Sequence, residues 1–136
     1  MNERVPTDRE LDALKILWRD DRATVRRIWT ELRRTDKHLA YTSVLSLMQA
    51  MEQKGLVGHE EVGRAYAYFA KVEQNSTFQR LAAGFLDRVF DGAMDQFLVH
   101  GLKSQRPTLE ELEQLEQMIA EAKKQSLQAP KGRKRS

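Results

Sequence analysis

Apolar residues recur at helical spacing through most of the chain. Leu11, Leu14, Leu17 and Trp18 form the first stripe, and Thr7 and Glu10 precede it at the separation of a capping box. Asp20-Asp21-Arg22 breaks this stripe. Thr24 then stands as an N-cap before Val25, Ile28, Trp29 and Leu32, which predict a second helix. A polar loop over Arg34–His38 leads to a third helix, roughly Tyr41–Lys54, whose stripe is Val44, Leu47, Met48 and Met51. Gly55 follows as its C′ residue.

The period changes after Gly55. Leu56–Glu61 and Arg64–Phe69 are short runs around Val62-Gly63, with Gly58 and Gly63 expected to frame the turn. Tyr66 and Tyr68 alternate with alanines and Phe69, so these runs predict a two-stranded hairpin. From Asn75 the helical period returns, with Ser76 and Gln79 at capping-box spacing. A fourth helix carries Phe78, Leu81, Phe85, Leu86, Val89 and Phe90, and Asp91-Gly92 ends it. Met94, Phe97, Leu98 and Leu102 predict a fifth helix. Thr108 and Glu111 start a sixth, with Leu112, Leu115, Ile119 and Ala122 on its apolar stripe. Apolar periodicity stops after Gln125, and Lys131–Arg135 is a basic tail expected to be disordered.

Three helices followed by a hairpin in about 70 residues is the order of a winged helix-turn-helix. The predicted fold class is therefore mainly α: a winged helix-turn-helix over 1–72 with a small β-hairpin wing, a C-terminal helical dimerisation region over 73–125, and a basic tail over 126–136. The later helices carry a wide Phe/Leu stripe that so small a unit cannot bury, so a partner is expected, and a symmetric homodimer is the commonest solution.

Composition narrows the chemistry. The 136 residues hold no cysteine, which excludes disulfides, thiolate catalysis and sulfur-based metal sites. His38, His59 and His100 have no metal-ligand spacing, no Gly-rich phosphate loop or Ser/His/Asp arrangement appears, and neither enzyme chemistry, a metal nor a cofactor is expected. The net charge of +3 misleads, because residues 123–136 hold six basic and no acidic side chains, leaving 1–122 at −3. Locally, Arg22–Lys54 holds seven basic and three acidic residues. The longest run without Asp, Glu, Lys or Arg is the 14 residues His38–Met51, too short and polar to span a bilayer. No apolar h-region follows the N-terminus, and a cytoplasmic protein without membrane insertion is expected.

That uncharged run contains the outward face of the third helix: Thr42, Ser46, Gln49 and Gln53, with Ser43, Leu45 and Ala50 at its margins. Small hydroxyl and amide side chains allow close approach to base edges. The other reading is a helix packed on both sides. Arg26, Arg27, Arg33, Arg34 and Lys37 lie where phosphate contacts would be needed, although each also suits a solvated face. Arg64 in the wing stands beside Glu60 and Glu61, which would repel phosphate.

Leu39-Ala40-Tyr41-Thr42-Ser43-Val44, Lys54-Gly55-Leu56-Val57 and Gly63-Arg64-Ala65-Tyr66-x-Tyr68 resemble the penicillinase-repressor family, the BlaI/MecI/CopY group. The spacing Thr7-x-x-Glu10-Leu11-x-x-Leu14-x-x-Leu17-Trp18, the start Ala23-Thr24-Val25-Arg26 and the later Leu86-x-x-x-Phe90-x-Gly92 resemble it too, from about Pro6 to Ala122. The resemblance implies a homodimeric repressor on a pseudo-palindromic double-stranded DNA operator, with the third helix in the major groove and the wing on the backbone. It implies Thr42, Ser43, Ser46 and Gln49 as base-reading residues. Thr24, Arg26, Arg27, Lys37, Tyr41 and Arg64 are the phosphate candidates. Dimerisation is expected through Phe78, Leu81, Phe85, Leu86, Val89, Phe90, Phe97, Leu98, Leu112, Leu115 and Ile119.

Three departures stand out. Ala50 replaces an arginine frequent in the family, and the copper branch's cysteine cluster is absent. The Asn-Phe bond cleaved in the β-lactam branch corresponds to His100-Gly101. A membrane sensor-protease system is a partner the family suggests, and that substitution puts this particular cleavage in question. The alternative function is a winged-helix protein-interaction module that does not read DNA, for which Glu60, Glu61 and the acidic sixth helix speak.

Overall fold

The computed structural model describes residues 5–128. Its elements are α1 (Asp8–Asp20), β1 (Ala23–Thr24), α2 (Val25–Leu32), α3 (Tyr41–Gln53), β2 (Val57–Val62), β3 (Ala65–Ala70), α4 (Gln74–Phe90), α5 (Met94–Gln105) and α6 (Leu109–Gln128). This is a winged helix-turn-helix followed by C-terminal helices. The chain forms two compact units, one up to Phe85 and one from Leu86, so α4 crosses from one to the other. The expected basic tail at Lys131–Arg135 lies outside the described residues.

The first unit is built on the apolar stripes of its three helices. Leu14, Leu17, Ile28, Val44, Met48, Met51, Leu56 and Val57 are fully buried together. Burying a side chain of this class contributes roughly 1.5–3 kcal/mol relative to exposure, so the stripes drive the helices together. At the start of α1, the Thr7 hydroxyl accepts from Glu10 N–H, and the Glu10 carboxylate accepts from Thr7 N–H. Glu10 is itself buried, and the same carboxylate also accepts from Lys54 Nζ at 2.7 Å, 44 residues away, which compensates the burial of its charge. The capping box of α1 is thereby tied to the C-cap residue of α3. Burial pushes the Glu10 carboxyl up, but Lys54 and the Thr7 donor outweigh it and hold it below the usual range.

Helix α3 ends in a Schellman motif: Leu56 N–H donates to Met51 C=O, and Gly55 N–H to Glu52 C=O. Gly55 takes φ +84, and the flanking pair Met51 and Leu56 is fully buried. The chain therefore turns into β2 on an apolar anchor.

The wing differs from expectation in two ways. It belongs to a three-stranded antiparallel sheet of order β1-β3-β2, because Ala23 and Thr24 pair with Tyr68 and Ala67. A two-residue strand carries no periodicity of its own, so only the pairing partner makes it visible. Secondly, Gly58 does not frame the turn. It is buried inside β2, where a Cβ would come within 2.8 Å of the Phe69 ring. The turn is Gly63-Arg64 alone, closed by the pair Val62 and Ala65, with Gly63 at φ +65.

The start of α4 also differs. The helix begins at Gln74, so Ser76 lies inside its first turn, and its hydroxyl donates back to the Glu73 carbonyl rather than capping. The expected capping box is present at α6, where Thr108 N–H donates to Glu111 and the Thr108 hydroxyl accepts from Glu111 N–H. Helix α6 continues to Gln128, past the end of the apolar spacing. From Leu86 to Gln128 no residue is buried.

The Glu10 carboxyl is held lower in the folded chain than in the unfolded one. Its contribution is therefore complete above the ordinary carboxylate range and is lost as pH falls through the lowered folded value. Glu10→Gln should reduce stability near pH 7 by about 1–3 kcal/mol. In urea unfolding, the gap from wild type should narrow steadily between about pH 5 and pH 3. A gap that stays constant with pH would show that the ion pair is not its source.

Candidate nucleic-acid interface

Helix α3 is amphipathic in an unusual sense. Val44, Met48 and Met51 face the core, while Thr42, Ser43, Ser46, Gln49, Ala50 and Gln53 are exposed. The reading in which this helix is packed on both sides does not hold. Leu45 is half-buried against the core. The result is a solvent-facing helix surface of hydroxyl, amide and methyl groups without formal charge. No side chain caps the start of α3, where Ala40 is the N-cap.

Trp29 positions that start. Its indole N–H donates to Leu39 C=O at 2.9 Å, and its ring meets Tyr41 edge-on at 5.6 Å. The guanidinium of Arg33 lies 4.5 Å from the indole centroid, and that of Arg26 lies 5.9 Å from both the Trp29 and the Tyr41 rings. One aromatic side chain thus holds the turn between α2 and α3 and gathers Arg26 at the start of α2 and Arg33 at its end.

A groove of about 410 Å³ opens between the start of α2, the start of α3 and the wing. Thr24, Arg26, Tyr41 and Arg64 line it, so four of the six phosphate candidates come together. The Thr24 hydroxyl caps α2 by accepting from Arg27 N–H. Arg27 and Lys37 do not line this groove. Lys37 is exposed in the turn. Arg27 pairs with Glu31 at 3.0 Å and Asp20 at 3.4 Å. Hydrogen bonding from Arg19 and then from Arg27 holds the Asp20 carboxyl below its usual range. Arg22 pairs with Glu60, so one of the two wing carboxylates that would repel an anion is neutralised within the fold. Glu61 remains exposed.

Tyr66 and Tyr68 also line the groove, and neither was among the sequence candidates. Their alternation on β3 was the available signal, but only the register shows what they face. His59 pairs with Tyr68 and Glu61 with Tyr66, so all four share one face of the sheet. Burial pushes the Tyr68 phenol up, and the charge of Glu52 on α3 adds to this. Glu52 also takes His59 Nδ1 between its two carboxylate oxygens, at 2.8 and 2.9 Å.

The dimerisation candidates divide between the units. In the first, Phe78 packs edge-on against Trp18 at 5.6 Å, Leu81 is half-buried and Phe85 exposed. In the second, Val89, Phe97, Leu98, Leu112 and Ile119 are exposed, and Leu86, Phe90 and Leu115 half-buried. Phe90 meets Phe97 and His100 at 5.8 Å each. A groove of about 670 Å³ between α5 and α6 is lined by Met94, Leu98, Leu102, Leu112, Leu115 and Ile119, among others. His100-Gly101 lies within α5. Among the described residues no three His, Asp or Glu side chains gather as a metal site, and no helix is long and apolar enough to cross a membrane.

A family model described as penicillinase repressor matches residues 6–121. The chain belongs to the penicillinase repressor family. Within curated relatives of that family, a penicillinase repressor of Bacillus licheniformis is 22% identical over 117 residues, covering 86% of this chain and 91% of its own length. A solved structure of the DNA-binding domain of the repressor BlaI is 20% identical, with a TM-score of 0.46 over 51% of this chain and 83% of that one.

Trp29→Phe keeps the ring but removes the donor to Leu39. The loss should cost about 1–2 kcal/mol in urea unfolding. Amide exchange should quicken first at the start of α3, and an unchanged exchange pattern there would show that the indole does not hold the turn.

Proposed function

We propose that this protein is a DNA-binding transcriptional repressor, acting as a homodimer on a pseudo-palindromic operator and not as an enzyme. The observation that carries the reading is the pairing of an uncharged exposed face on α3 with an adjacent groove holding Arg26 and Arg64. A basic groove positions a protein on the phosphate backbone, and a neutral polar helix face reads base edges. Thr42, Ser43, Ser46 and Gln49 are the base-reading residues, with Gln49 suited to bidentate pairing with adenine. Thr24, Arg26, Tyr41 and Arg64 hold phosphate. Arg27 and Lys37 contribute less to this contact, Arg27 because its guanidinium is committed to Asp20 and Glu31. Family membership supports the same reading, since the Bacillus licheniformis relative is described as a penicillinase repressor.

The second unit supports dimerisation. Among its described residues this helical unit buries none, so its own core is thin, and the apolar surface of α5 and α6 calls for a cover. A second copy brings two α3 helices to two half-sites about 10 bp apart, or a multiple of that. The protein-interaction alternative is weakened by the Arg22–Glu60 pair, which leaves Glu61 as the carboxylate near the wing tip.

Footprinting on the DNA upstream of the protein's own gene should show a protected inverted repeat. Affinity should fall steeply between low and physiological salt. Protection of no repeat, together with salt-independent binding, would favour the interaction module.

Arg26→Ala should weaken binding to all duplexes by a similar factor and reduce the salt slope by about 1. Arg27→Ala should do much less. Gln49→Ala should relax preference at one base pair by about 1–3 kcal/mol. Gel shifts with single-base operator variants separate the two classes, and an unaltered preference in Gln49→Ala would remove it from base reading.

A further inference from the structure

His59 lies outside every residue set assigned so far, yet it bridges the two elements that form the proposed interface. It stands on β2, exposed, immediately after the buried pair Val57-Gly58. Its Nδ1 meets both oxygens of Glu52 on the last turn of α3. Its ring meets Tyr66 at 4.8 Å edge-on and Tyr68 at 5.5 Å. Tyr66 and Tyr68 are walls of the groove that also holds Arg26 and Arg64. The imidazole thus touches α3 on one side and, without lining the groove itself, two of the groove's tyrosines on the other.

We infer that His59 is a further phosphate-contacting residue, and that its contact with DNA requires protonation of the ring. This rests on the DNA-binding reading above. An ionised carboxylate only accepts hydrogen bonds, so Nδ1 carries the hydrogen that faces Glu52. In the neutral ring Nε2 is then a bare acceptor, which a phosphate oxygen repels. Protonation converts Nε2 into a donor without disturbing the Nδ1 bond. The same proton changes the Glu52–His59 pair from one net negative charge to none. Phosphate therefore favours the protonated ring twice, through contact and through removal of a local repulsion.

The other titratable groups facing His59 set the background. Glu52 comes from α3, Tyr66 and Tyr68 from β3, and Glu61 from the same face of β2. Glu60 is paired with Arg22. Tyr68 stays neutral, its phenol pushed up by burial and by Glu52. By linkage, uptake of one proton on binding makes the affinity rise as pH falls, by up to about tenfold per pH unit.

The test measures full-length protein against a fluorescein-labelled 40-bp duplex by anisotropy at constant low salt, at pH 6 and pH 8. Wild type should bind about 5–10-fold more tightly at pH 6. His59→Gln should lose most of that ratio, while His38→Gln, in the turn before α3, should keep it. Glu52→Gln is a second variant that leaves His59 in place. It should bind more tightly than wild type at pH 8, because a negative charge is removed, and show a smaller ratio. Thermal unfolding of each variant confirms that it is folded. A wild-type ratio retained in folded His59→Gln overturns this inference while leaving DNA binding intact. Absence of wild-type binding at both pH values overturns the DNA-binding reading and this inference with it.

Discussion

The turn between α2 and α3 depends on Trp29. No side-chain cap defines the start of α3, so its first turn must be held from elsewhere. Trp29 supplies the restraint from outside the helix: its N–H fixes the Leu39 carbonyl, and its ring packs against Tyr41. Two groove-lining residues, Arg26 at the start of α2 and Tyr41 at the start of α3, lie against each other and the same indole. One aromatic side chain therefore helps set where Arg26 and Tyr41, two of the groove's residues, stand relative to the uncharged helix face. The other end of α3 is fixed differently, by the Schellman turn over Gly55 and by Lys54 reaching the buried Glu10. Between them, these two anchors leave α3 little freedom to roll, so its outward face is defined by the burial of Val44, Met48 and Met51.

Electrostatics in the first unit works by subtraction. The local excess of basic residues between Arg22 and Lys54 overstates what an anion would meet. Arg22, Arg27 and Lys54 are each held by a carboxylate, and Arg33 lies on Trp29. The pairs of Arg22 and Arg27 are exposed enough to add little to stability, about 0–1 kcal/mol each, but like the part-buried Lys54–Glu10 pair they reduce the charge that a partner would meet. Arg26 and Arg64 stand at the groove without an ion pair among the described residues. The charge that matters is thus far smaller than the count, and it is placed.

The second unit presents the opposite physical situation. Its helices are well formed, with a capping box at α6 and a left-handed Asp91-Gly92 ending to α4, yet none of its described residues is buried. Local helix signals and a stable core are separate matters. Helical propensity and caps define where the chain coils, but stability comes from covering an apolar face.

Much of this protein was legible in its sequence because the relevant physics is local. Capping boxes at Thr7 and Thr108, the N-cap at Thr24, the C′ glycine at 55 and the apolar stripes act within one or two helical turns, so spacing alone exposes them. The uncharged face of α3 was legible for the same reason. What remained hidden involves partners distant along the chain. Strand β1 exists only because Tyr68 and Ala67 lie beside it, and Gly58 makes room for the Phe69 ring rather than for a turn. The commitment of Arg27, the neutralisation of Glu60 by Arg22, and the grip of Glu52 on His59 are likewise decided by contacts that no period or motif encodes. The sequence determined which segments coil and which faces turn inward, since those follow from short-range hydrogen bonding and burial. Only the tertiary structure decided which charged side chains are left to meet a partner, because that depends on which opposite charges the fold has already brought within reach.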